Sequence, residues 1–75
     1  MRQRLKGVSR TNIVAQKYLF ERNNREVWLC RLTDDKFQYR LEIAGQGYYM
    51  DSLHDVSIFL WGRYGERLPL EKLAI

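Results

Sequence analysis

The one histidine of the chain, His54, sits in the run DSLHD between Asp51 and Asp55. An imidazole beside carboxylates is the arrangement that general-base or metal chemistry uses. A metal would need further ligands converging from other segments, and the sequence offers no second histidine and only one cysteine. Asp51 and Ser52 have a simpler use, because their side-chain oxygens accept the free N–H groups at a helix start, where Asp55 then suits the positive end of the dipole. The run is therefore read as a helix cap. Cys30 lies inside the apolar run EVWLCRL, where a thiol behaves as a small inert core residue. GQG, at positions 45–47, lacks the spacing and the strand-to-helix setting of a dinucleotide loop and reads as a tight turn. No catalytic residue, metal ligand or cofactor is assigned, and the expectation is a protein that is not an enzyme.

The remaining residues with chemical reach are cationic. The net charge is +4, but residues 1–25 hold seven basic residues against one acid, +6, while residues 26–75 hold six against eight, −2. Arg2, Arg4, Lys6 and Arg10 fall in a segment with no core of its own, which is how an arm that neutralises phosphates looks, the preferred reading over a plain solubilising tail. In KFQYRLEIA the alternation puts Phe37, Tyr39, Leu41 and Ile43 on one face of a strand, and Lys36, Gln38, Arg40 and Glu42 on the other. If the apolar set packs under a helix, Gln38 and Arg40 point outward. Arg31 joins them if Trp28, Cys30 and Leu32 turn toward the helix. Arginine pairs with guanine and glutamine with adenine through matched donors and acceptors, and strands as well as helices enter grooves. The expected nucleic-acid-binding set is thus Arg2, Arg4, Lys6 and Arg10 for phosphates, with Arg31, Gln38 and Arg40 for bases.

These side chains need elements to hold them. A chain of 75 residues supports one core, and 45% hydrophobic content with 13% aromatics is rich enough to fold. NIVAQKYLFE and EVWLCRL read as two strands, and NNR between them as a turn whose asparagines tolerate left-handed angles. The third strand is reached through TDD, a turn that Asp34 and Asp35 favour. Gly45 and Gly47 end it, and YYM adds a short fourth strand or leads into the helix. The helix runs to about Tyr64, with Gly65 a left-handed stop and Pro69 preventing resumption. The expected fold is α+β: a three- or four-stranded antiparallel meander sheet packed against one C-terminal helix. Residues 1–11 form a basic flexible arm, 12–67 a single β-β-β-α domain and 68–75 a C-terminal tail.

The helix carries more apolar surface than one sheet requires. Leu53, Val56, Leu60 and Tyr64 form the stripe that covers a sheet, and Ile58 and Trp61 fall on its flank. Two covers are open to that flank: the tail, through Leu68, Leu70, Leu73 and Ile75, which is the preferred reading, and another protein chain, including a second copy. On the second, Ile58 and Trp61 are partner-binding residues.

The order of three strands then a helix, with KGVSR near the start and GYYMDSLHDV entering the helix, resembles plant AP2-type domains and the arm-binding amino-terminal domains of tyrosine recombinases. The helix here reads VSIFLWG where the AP2 pattern has alanine pairs. The resemblance implies that the sheet's outer face reads the DNA major groove, with Arg31, Gln38 and Arg40 as readers. Together these readings give a small basic nucleic-acid-binding protein, duplex DNA ahead of RNA. The alternative is a small interaction or inhibitor protein that docks its apolar helix flank on a larger partner. No run has the length of a membrane span or of a signal peptide's apolar core, so the expected location is cytoplasmic or nucleoid-associated.

Overall fold

The computed structural model describes residues 13–33 and 37–75. The arm residues Arg2, Arg4, Lys6 and Arg10, together with the Asp34–Asp35 turn and Lys36, lie outside the described residues. Four strands, β1 (Ile13–Arg22), β2 (Arg25–Leu32), β3 (Tyr39–Ile43) and β4 (Gln46–Met50), pair antiparallel in the order β1-β2-β3-β4. Helix α1 (Leu53–Tyr64) and a one-turn helix α2 (Leu70–Leu73) follow. This is the α+β meander with a C-terminal helix that the sequence pattern calls for, in its four-stranded form.

Two tight turns set the register. Asn23 (φ 57°) and Asn24 (φ 65°) are both left-handed and join β1 to β2, the two-residue geometry whose twist matches that of the flanking strands. Ala44 (φ 52°) and Gly45 (φ 85°) do the same between β3 and β4. Gly47 does not end the third strand as expected; it lies within β4, opposite Glu42.

Register then decides which residues share a face, because directly paired residues point the same way and chain neighbours point oppositely. Val27 pairs with Ile43 and Leu29 with Leu41. These four, with Val56 and Leu60 of α1 and Leu73 of α2, are the buried core. The expectation that Trp28, Cys30 and Leu32 face the helix is therefore corrected: Val27 and Leu29 do. It rested on Trp28 needing cover, and Trp28 finds that cover on the opposite face. Its ring meets the edge of Tyr18 at 5.7 Å, and its Nε1 donates to Glu26 at 2.9 Å.

Strand β1 shifts register between Tyr18 and Phe20. Leu19 thereby has no opposite number, and both Leu19 and Phe20 reach the core, as an inserted residue allows.

Helix α1 starts where Ser52 Oγ accepts from the Asp55 N–H at 3.2 Å. It stops at Gly65, whose left-handed angle (φ 71°) lets its N–H donate to Trp61 at 2.8 Å. Val56 and Leu60 are fully buried, with Leu53 and Tyr64 packed beside them, so the predicted stripe is the one that covers the sheet.

The tail folds back, but not over the flank assigned to it. Leu68, Leu73 and Ile75 enter the core cluster, and Lys17 Nζ from β1 donates to the carbonyls of Lys72 and Ala74. Ile58 and Trp61 remain 53% and 52% exposed. The preferred cover for them is corrected accordingly: the tail packs on the core cluster beside α1 and is tied to β1 through Lys17.

Candidate functional site

The three proposed base readers do not form one surface. Arg31 pairs with Ala15 and Tyr39, and Tyr39 packs against the core, so Arg31 emerges on the helix side of the sheet. Arg40 pairs with Cys30 and Tyr49 on the other side. Arg31 and Arg40 therefore belong to opposite faces. The grouping failed because it depended on the orientation of Trp28, and a one-residue error there moves every side chain of the strand across the sheet. Gln38 is exposed, just ahead of β3.

Arg40 is also fully buried. Its Nη1 lies 3.6 Å from Glu42 Oε1 and 3.7 Å from Cys30 Sγ, whereas Nε and Nη2 have no hydrogen-bond partner among the described residues. A guanidinium held this way is a structural cation rather than a probe of base edges. The face around it is aromatic: Tyr18, Trp28 and Tyr49 lie on it, and the Phe37 ring is 5.8 Å from that of Tyr49. It is not the open polar face that the alternation alone predicted.

The basic groups that do converge are ones the sequence reading passed over. Arg22 and Arg25 flank the Asn23–Asn24 turn and stand directly opposite each other. Both share the face of Phe20 and Val27, the helix side. Arg63 approaches from the last turn of α1, its guanidinium 5.3 Å from the Tyr48 ring centre and 5.7 Å from that of Phe59. Arg22, Asn23, Arg25, Ile43, Arg63 and Tyr64 line an open cleft of about 510 Å³. Within it Arg22 donates to the Tyr64 carbonyl at 3.2 Å and pairs with the Glu66 carboxylate. Among the described residues neither Arg25 nor Arg63 has an ion-pair partner. RNNR carried the signal, since a two-residue turn places its flanking residues face to face.

A second cleft, of about 530 Å³, opens on the opposite face at the same end of the sheet, with Glu26, Trp28 and Glu42 in its wall. Arg25 stands on the rim of both. His54 is exposed beside the Ser52 cap, and Cys30 is buried. Among the described residues no group of three or more His, Cys, Asp or Glu is placed to hold a metal, and no helix is long and apolar enough to cross a membrane.

The chain matches no family model, no curated protein and no solved structure.

Proposed function

We propose that this chain is a small, non-enzymatic nucleic-acid-binding module that takes duplex DNA in preference to RNA. The observation that carries the reading is the separation of charge, +6 over residues 1–25 and −2 over the remainder. Neutralising phosphates releases their condensed counterions, the main drive for sequence-independent binding. Arg2, Arg4, Lys6 and Arg10 supply that term on this reading, and Arg31 and Gln38, both exposed, remain available for nearby contacts. Arg40 is left out, because its buried guanidinium lies on the other face from Arg31. The likeness to AP2-type and recombinase arm-binding domains supports the preference for duplex DNA, although the reading face it implies is not assembled from the same three side chains.

The test is a titration with random duplex DNA, single-stranded DNA and duplex RNA at two salt concentrations. Duplex DNA is expected to bind most tightly, with affinity falling steeply as salt rises; no binding at low salt would end the reading.

The exposed flank of α1 favours a second reading. Ile58 and Trp61 are each about half exposed, and an apolar helix flank of this kind suits docking on a larger protein or a second copy. Light scattering of the free protein over a concentration series separates the two: growth in mass that Trp61→Ala abolishes supports self-docking.

A further inference from the structure

We propose that the cleft formed by Arg22, Arg25 and Arg63 holds a backbone phosphate of the bound nucleic acid. This names a contact for the nucleic-acid reading above and rests on it. The starting point is a cost. Arg22 and Arg25 are cross-strand partners in direct register, and like charges so placed destabilise a hairpin. Part of that cost has a structural return, since Arg22 covers the last carbonyl of α1 and pairs with Glu66. Arg63 has one too: a cation in the last turn suits the negative end of the helix. Arg25 has none. It is exposed, it repels Arg22, and no described carboxylate pairs with it.

The electrostatics of the cleft favour an anion. Three guanidinium groups against the one carboxylate of Glu66 leave a local charge of +2. The adjoining end of α1 would normally oppose a negative ligand, but three of its carbonyls are already taken: Tyr64 by Arg22, Trp61 by the Gly65 N–H and Leu60 by the Glu66 N–H. Stacking on Tyr48 and Phe59 holds the Arg63 guanidinium in place, and a planar fork fixed in advance loses less freedom when it binds phosphate oxygens. A carboxylate occupies one such fork. A phosphate presents oxygens to several at once, which suits a cleft with arginines on two walls.

The experiment measures duplex DNA affinity of the whole chain at several salt concentrations for wild type, Arg25→Ala/Arg63→Ala, the charge-retaining Arg25→Lys/Arg63→Lys, and a charge-matched control, Arg67→Ala/Lys72→Ala. Thermal melting checks that each variant folds. The expected result is an affinity loss of about tenfold for the alanine pair, with a salt slope lower by about 1 to 2. The lysine pair should retain most of the affinity, and the control should stay within about twofold of wild type. Equal losses in the alanine pair and the control would overturn the cleft as a site while leaving the nucleic-acid reading in place. Wild-type protein that binds no duplex at low salt would overturn both.

Discussion

The Arg40 side chain runs across Gly47 of the neighbouring strand, so that its guanidinium fills the space a side chain at position 47 would occupy. The two are diagonal neighbours, since Arg40 pairs with Tyr49 and Glu42 with Gly47. A charged group buried with two donors unpaired among the described residues is costly to hold. The glycine is what makes room for it, and the aromatic face is built around that cation.

Gly47→Ala should accordingly destabilise the fold by about 1 to 3 kcal/mol, the range for adding volume to a packed site. In an Arg40→Met background, whose flexible side chain can move aside, the same substitution should cost less than about 0.5 kcal/mol. Urea unfolding of the four proteins completes the cycle. An equal cost in both backgrounds would mean that Gly47 is needed for its backbone and not for the space above it.

The first three strands, the Asn23–Asn24 turn and the stripe on α1 were legible because each depends on near neighbours in sequence: the alternation over Tyr39–Ile43, the NN pair, the serine cap and Gly65. The alternation did not extend to Phe37, whose ring lies by Tyr49 on the Arg40 face, and the second turn falls at Ala44–Gly45, one residue before the GQG assigned to it. Which face of β2 meets the helix was not legible either. Both faces of that strand are apolar, Val27 and Leu29 on one and Trp28, Cys30 and Leu32 on the other, and alternation cannot choose between two apolar sets. That choice decided whether Arg31 joins Arg40. The arginine cleft was half legible. RNNR places Arg22 against Arg25, but Arg63 arrives through tertiary packing that no local pattern encodes.

The tail carries core residues despite its short helix. Leu73 is fully buried among Val56, Leu60 and the sheet, while Leu70, one turn earlier, is 48% exposed. Leu73→Ala should cost about 2 to 5 kcal/mol through lost burial and the cavity left behind, and Leu70→Ala less than about 0.5 kcal/mol. Similar costs at the two positions, measured by chemical unfolding, would contradict this placement of the tail.

Neighbouring positions on α1 make a second contrast. Leu60 is fully buried, and Trp61 is half exposed with the Arg67 guanidinium 4.8 Å from its ring centre. Leu60→Ala is expected to cost about 2 to 5 kcal/mol. Trp61→Ala should cost no more than about 1 kcal/mol, the worth of an exposed cation–π contact. Iodide should quench the fluorescence of Trp61 in a Trp28→Phe protein, and protection from it in the dilute free protein would show that something covers the flank.

Glu66 gives the clearest test of sign. Its carboxylate holds Arg22 and lies beside the cleft, so it both occupies one guanidinium and repels an incoming phosphate. Both partners of the pair are more than a third exposed, which limits its stabilising effect to about 1 kcal/mol or less. Glu66→Gln should therefore leave the fold nearly as stable while raising duplex affinity about two- to fivefold and steepening the salt dependence, because one more cation is free for phosphate. Glu71→Gln makes the same change in net charge on the exposed side of α2 and should raise affinity much less. Equal gains would reduce the effect to overall charge, and a loss in Glu66→Gln would mean that Glu66 is needed to hold Arg22 in position.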